Sequence, residues 1–199
     1  MTSVVYELAR KPTINLVKLI IGRYMVKYGR GISAKALTEL LFLTLYTDNE
    51  RLLNTPRIRI PEGFRIRSKG LYLPINKLLR RLGAYDEGAV IRVGDKYYVK
   101  NPEEVFKEAY DELTKNGLRE LAEYATRVID VYGGYGEEEL TRLSEDILKL
   151  TPMIKAVSFN MDLDVFIEAK KTLRRVLESG EYVDEVELYP DLFKEREGD

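Results

Sequence analysis

The fold of this chain is predicted most directly by two stretches, PINKLLRRLG at residues 74–83 and AVIRVGDKYYVK at residues 89–100. Pro74 suits the first turn of a helix, and Gly83 suits its end. The apolar positions between them form one stripe with helical spacing, namely Ile75, Leu78, Leu79 and Leu82. The second stretch has two β-rich runs around Gly94-Asp95, a pattern typical of a tight hairpin. We therefore predict a short helix over residues 74–82 and a β-hairpin over residues 89–100.

The turn of this hairpin predicts a specific register. A strict two-residue turn pairs Arg92 with Tyr97 and places Val90 and Val99 on one face. Arg92 then lies on the core side of the hairpin, unless its long side chain carries the guanidinium outward near the tip.

Two helices are predicted upstream. The first begins at Pro12-Thr13 and ends at Gly29. Its apolar face carries Leu16, Leu19, Ile20 and Tyr24. Ser33 suits the N-cap of the second helix, over residues 34–46, and leucines cover so much of its girth that we expect it to be buried.

An extended basic segment is predicted between the second helix and residue 74. Residues 57–60 and 64–67 alternate arginine with an apolar residue at period two, which favours half-buried strands with the arginines on the open side. Pro56, Pro61 and Gly63 interrupt the segment, so we expect short or edge strands.

The C-terminal half is predicted to be helical. Asn101-Pro102 marks a boundary, and helices are expected at about residues 102–116, 118–132, 137–150 and 162–178. The predicted fold class is mainly α with a small β-hairpin (α+β). The predicted domains are residues 1–101 and residues 102–199.

The two halves carry opposite charge. Residues 1–100 contain 19 basic and 8 acidic residues, a net charge of +11, and residues 101–199 contain 13 basic and 25 acidic residues, a net charge of −12. Such asymmetry indicates a part that binds a polyanion and a part that stays clear of it. The alternative is that the two halves pair with each other. Between residues 57 and 81, Glu62 is the only acid among eight cations.

The composition excludes several classes of function. With no cysteine and no histidine, the chain has no disulfide, no thiolate metal site and no histidine-based catalytic site. We predict neither an enzyme nor a cofactor or metal site, and we interpret the acids around Asp162 as helix-capping residues. The abundance of Glu, Lys and Arg is typical of thermophiles. No apolar run reaches membrane-spanning length and no secretion signal is visible, so a cytoplasmic location is expected.

The order helix, helix, strand, short basic helix and hairpin resembles the winged helix-turn-helix family of archaeal and bacterial regulators over residues 14–100. The resemblance implies that helix 74–82 lies in the major groove of DNA and that hairpin 89–100 is the wing. Asparagine suits adenine, and arginine suits guanine. The expected nucleic-acid-binding residues are Arg57, Arg59, Arg65, Arg67, Lys69, Asn76, Lys77, Arg80, Arg81, Arg92, Lys96 and Lys100. The connection from residue 47 to residue 74 is longer than the family pattern.

Residues 57–100 also bear a fainter likeness to SocA-like antitoxin domains, through the turn at Lys69-Gly70-Leu71-Tyr72-Leu73-Pro74. That likeness implies a protein-binding antitoxin or adaptor. The predicted function is double-stranded DNA binding, as a homodimeric transcriptional regulator whose acidic half dimerises or recruits a protein partner. The alternative is a protein-interaction module that uses the same scaffold without DNA.

Overall fold

The computed structural model describes residues 2–85 and 88–179. The chain divides into two compact units, Met1–Met161 and Asp162–Asp199. The predicted boundary at residue 101 therefore lies inside the first unit. The described part of the second unit consists mainly of α8, Leu163–Ser179.

The first unit is mainly helical, as predicted. Its helices are α1 (Thr2–Tyr28), α2 (Ala34–Tyr46), α3 (Ile75–Arg81), α4 (Pro102–Lys115), α5 (Arg119–Tyr132), α6 (Glu137–Leu148) and α7 (Pro152–Val157). Its strands are β1 (Ile32–Ser33), β2 (Arg65–Arg67), β3 (Gly70–Tyr72), β4 (Ile91–Val93) and β5 (Lys96–Tyr98). None of the described helices is both long and apolar enough to cross a membrane.

The core forms where α1 packs on α4 and α5 while α2 packs on α5 and α6. The predicted apolar face of α1 is buried, and so is nearly the whole girth of α2, including Leu37, Leu40 and Phe42. Ser33 caps α2 by accepting a hydrogen bond from the backbone nitrogen of Ala36 at 3.1 Å, as its position predicts. α1 lies close to α4 at Gly22, where a Cβ atom would lie 3.1 Å from the backbone of α4.

The strands form two small antiparallel sheets. One has the order β1-β5-β4, and the other is the β2–β3 hairpin. Arg92 is paired with Tyr97, which confirms the register predicted from the two-residue turn. Val90 and Val99 are both buried, as that register requires.

Two local predictions were wrong. Helix α1 begins at Thr2, so Pro12 lies inside it. The side chain of Arg10 donates to the carbonyl oxygen of Leu82 at 3.1 and 3.2 Å, a contact that holds the turn before the proline in place. Residues 57–60 form no strand, since prolines flank them and neither described sheet includes them.

Candidate nucleic-acid interface

Helix α3 presents a basic face because its apolar stripe is buried. Ile75, Leu78 and Leu79 are at most 2% exposed. Lys77, Arg80 and Arg81 project from the remaining surface of the helix. Among the described residues, the side chain of Arg80 has neither a hydrogen-bond nor an ion-pair partner.

Glu62 holds two of these cations. Its carboxylate lies 2.9 Å from the Lys77 ammonium and 3.0 Å from the Arg81 guanidinium, and only 6% of its side chain is exposed. Burial acts to raise the pKa of Glu62, but the hydrogen bonds and charges of Lys77 and Arg81 outweigh it, so the pKa lies below its ordinary value. Glu62 belongs to the basic half of the chain, so these contacts to Lys77 and Arg81 do not come from the acidic half.

Asn76 is connected to the β4–β5 hairpin through Tyr85. The Tyr85 hydroxyl donates to the side-chain oxygen of Asn76 at 2.9 Å. Burial first, and then the neighbouring Tyr97, raise the pKa of Tyr85 to about 12. Because Tyr97 lies on β5, Tyr85 joins helix α3 to the β4–β5 hairpin.

The β4–β5 hairpin, which stands where the resemblance expects the wing, exposes its predicted cations. Arg92 lies opposite the buried Tyr97, yet it is exposed, because its guanidinium turns to the tip and donates to the carbonyl of Gly94 at 2.8 Å. Lys96 and Lys100 are also exposed. Within the described ranges, neither lysine side chain has an ion-pair or hydrogen-bond partner.

The five cations predicted between residues 57 and 69 are placed differently. Arg57 forms an ion pair with Glu120 of α5 at 2.8 Å. Arg65 donates to the backbone oxygen of Asn160 at 3.1 Å. The Arg67 guanidinium lies over the ring of Tyr72 at 5.5 Å and over that of Phe159 at 5.1 Å.

Arg59 and Lys69 remain exposed. Glu62 thus joins Lys77 to Arg81, and Tyr85 joins Asn76 to the β4–β5 hairpin. Arg57, Arg65 and Arg67 instead contact other parts of the fold.

The described ion pairs between the two oppositely charged halves involve acidic side chains of α5. Asp130 of α5 accepts hydrogen bonds from Arg23 at 2.8 and 2.9 Å, and the Lys27 ammonium lies 3.4 Å from its carboxylate. These contacts and the Arg57–Glu120 pair join the oppositely charged halves within one compact unit.

Sequence reasoning missed the roles of Glu62 and Tyr85. The signal for Glu62 was its isolation as the only acid among the cations of residues 57–81. Its partners still required the tertiary fold, since Glu62 lies 15 and 19 positions before Lys77 and Arg81.

Among the described residues, no group of three or more acidic side chains could hold a metal ion. Comparison with known proteins gave no match: no family model fits the sequence, and no curated protein or solved structure is significantly similar to it.

Proposed function

We propose that the protein binds double-stranded DNA through α3 and the β4–β5 hairpin, as a transcriptional regulator of the winged-helix type. The observation that carries the proposal is the exposed basic face of α3 beside a hairpin that exposes Arg92, Lys96 and Lys100. The element order α1-β1-α2-β2-β3-α3-β4-β5 supports it, since it contains the helix, helix, strand, short basic helix and hairpin of the winged-helix pattern, with β2 and β3 in the long connection before α3. The sheet order β1-β5-β4, which pairs the hairpin with the strand before α2, supports it as well. A DNA-binding role also implies a cytoplasmic location.

The charge arrangement is consistent with groove binding. Lys and Arg contacts to phosphates supply most of the sequence-independent affinity for DNA. The Arg80 guanidinium, which has no partner among the described residues, is available for a guanine or a phosphate, while Lys77 and Arg81 are held by Glu62.

The test is fluorescence anisotropy on a duplex of about thirty base pairs across a salt series. We expect the affinity to fall steeply with salt. Arg80→Ala with Arg81→Ala should reduce the slope of log K against log salt by about 2, at about 0.9 per phosphate contact. The matched control is Arg142→Ala with Lys107→Ala, which removes two exposed cations from α6 and α4 and should leave the slope unchanged. Absence of duplex binding at low salt would refute the proposal.

We also propose that the protein is a homodimer. Three exposed apolar side chains follow one another along α7 and the turn after it, namely Met153, Val157 and Phe159, and each is more than half exposed. Large apolar groups gathered on a surface are typical of protein contacts. Light scattering should give twice the chain mass of 23.0 kDa, and a monomeric mass would contradict the dimer.

A protein-interaction module is the second candidate, favoured by the surface around the β2–β3 hairpin. Arg67, Tyr72 and Phe159 stack there, and Arg and aromatic residues dominate binding hot spots. A groove of about 890 Å³ beside them is lined by cations from one side and carboxylates of α6 from the other, namely Lys35, Arg67 and Lys69 against Glu137, Glu138 and Glu145. Mixed charges suit a peptide better than a polyanion. If the protein forms a stable dimer in light scattering but does not bind the duplex in the anisotropy assay, this candidate is favoured.

A further inference from the structure

A polar cavity of about 250 Å³ lies between the end of α2, the loop after it and α5. The loop is tied to α5 at two places. Arg57 forms its ion pair with Glu120, and Arg127 donates to the side-chain oxygen of Asn49 at 2.8 Å. The cavity therefore has fixed walls on both sides.

Two opposite charges line this cavity without pairing with each other. One carboxylate oxygen of Asp48 accepts hydrogen bonds from the backbone nitrogens of Glu50 and Leu52, both at 2.9 Å. Arg127 is held by Asn49. Within the described parts of the chain, neither Asp48 nor Arg127 has an ion-pair partner.

The other charged residues of the cavity are neutralised. Glu120 pairs with Arg57, and Glu123 pairs with Arg119 at 2.8 Å. Tyr124 lies near both unpaired charges: burial is the main cause that raises its pKa, and the charges of Asp48 and Arg127 act on it in opposite directions.

One buried polar group of the lining has no hydrogen bond in the described structure. Thr44 lines the cavity and is 2% exposed, and its hydroxyl has no hydrogen-bond partner among the described residues. The hydroxyl oxygen has almost no accessible surface, so it lies behind the cavity wall, where a ligand cannot reach it. The neighbouring hydroxyls of Thr47 and Tyr124 already bond to each other at 2.8 Å.

We propose that this cavity binds a small free amino acid. The ligand carboxylate pairs with Arg127, and its ammonium pairs with Asp48. The cavity, at about 250 Å³, is somewhat smaller than the roughly 300–1,000 Å³ of pockets for drug-sized ligands, which favours a small ligand. Both charges of the protein are fixed before binding, so little ordering is needed.

The test is isothermal titration calorimetry of the full chain with the common small amino acids, without DNA. Asp48→Asn and Arg127→Gln keep a side-chain oxygen or nitrogen for the existing hydrogen bonds and remove the charge. Thr44→Val removes the hydroxyl at nearly constant volume. We expect each of the two charge variants to weaken binding of the ligand by about tenfold or more, and Thr44→Val, whose hydroxyl is out of reach of the ligand, to leave its affinity unchanged.

Two controls separate ligand binding from folding. Arg142→Gln removes an exposed cation of α6 and should bind the ligand like wild type. Thr44→Val without ligand should be at least as stable as wild type, because it loses only an unpartnered hydroxyl. The N-acetyl form of the ligand, which lacks the ammonium, should bind wild type and Asp48→Asn alike.

Either of two outcomes would overturn the proposal. The first is no heat of binding with any small amino acid at about 10 mM, a concentration that detects very weak sites. The second is an affinity that Asp48→Asn and Arg127→Gln leave unchanged. The calorimetry contains no DNA, so its outcome is independent of the anisotropy assay. A negative result in either experiment refutes only the proposal that it tests.

Discussion

Replacing Glu62 with glutamine should change stability and DNA affinity in opposite directions. The carboxylate is 6% exposed and contacts Lys77 and Arg81 at 2.9 and 3.0 Å. Glutamine has nearly the same shape but no charge, so both contacts weaken without leaving a cavity. Hydrogen bonds to charged groups contribute about 1.5–3 kcal/mol when shielded, whereas exposed ion pairs contribute below about 1 kcal/mol.

The partners of Glu62 are well exposed, 72% for Lys77 and 45% for Arg81, so the lower part of that range applies. We expect Glu62→Gln to reduce the free energy of unfolding by about 1–2 kcal/mol. Glu138→Gln is the matched control: Glu138 is 91% exposed and lies 3.9 Å from its partner Arg142, so its loss should have no measurable effect.

The loss should also depend on pH. Because the folded-state pKa of Glu62 is lowered, its stabilisation is present above the unfolded-state pKa and disappears as pH falls through the folded-state value. Urea unfolding of wild type and Glu62→Gln should therefore differ at pH 7, begin to approach each other below the ordinary glutamate pKa of about 4.3, and converge only below the lowered folded-state pKa of Glu62.

For DNA, the same substitution frees two cations and removes one negative charge. The duplex affinity of Glu62→Gln at low salt should rise several-fold, and the slope of log K against log salt should steepen by about 1. Urea denaturation and anisotropy on the same preparations measure the two effects. An unchanged free energy of unfolding, or a lower affinity with a shallower salt slope, would refute the assigned role of Glu62.

Three further predictions concern the core of the first unit. Glu39→Gln should raise the free energy of unfolding at pH 7 by about 1 kcal/mol: burial raises the pKa of this fully buried carboxyl even though the Lys35 ammonium lies 2.7 Å from it, and one of its oxygens has no partner among the described residues. Lys35 loses this ion pair but keeps its hydrogen bonds to the carbonyl oxygens of Lys69 and Leu71. The gain should shrink toward low pH as Glu39 becomes protonated, and a destabilised variant at pH 7 would contradict it. Leu78→Ala should cost about 2–5 kcal/mol in urea unfolding, because the side chain is fully buried under the basic face of α3. Gly22→Val should cost about 1–3 kcal/mol by crowding α4. Gly134→Ala, whose Cβ would have no contact closer than 3.6 Å, should cost less than Gly22→Val in thermal unfolding.

The sequence predicted best those elements whose determinants are local. The two-residue turn at Gly94-Asp95 determined the pairing of Arg92 with Tyr97, because strand pairing alternates from a fixed turn. The stripe of α3 and the cap at Ser33 are local in the same sense. Each was recognisable within about ten residues of chain.

β2 was predicted, within residues 64–67, whereas β3 was not, and the pairing of both strands depends on distant residues. β2 is flanked by backbone hydrogen bonds that join Ile66 to Asn160 and Met161, at 2.8 and 3.0 Å. Its partner β3 begins at Gly70, whose φ of +90° and close approach to Thr141 of α6 require the tertiary fold. A period-two pattern alone could not distinguish residues 65–67, which form a strand, from residues 57–60, which do not.

The sequence showed that the two halves of the chain carry opposite charge. It did not show how the basic face of α3 stays separate from the acidic helices when both belong to one compact unit. The described contacts use Asp130 and Glu120 of α5 to hold α1 and the loop after α2, whereas Lys77 and Arg81 of α3 are held by Glu62 from their own half. The single negative charge of Glu62 only partly neutralises the two positive charges of Lys77 and Arg81. The face of α3 therefore stays positive while these two side chains are held in place. If acids of α5 or α6 had held these cations instead, the acidic helices would stand beside the surface proposed for DNA and would repel phosphate. The position of one glutamate in the basic half therefore bears directly on whether α3 can bind a polyanion, which is why its substitution is the most informative experiment.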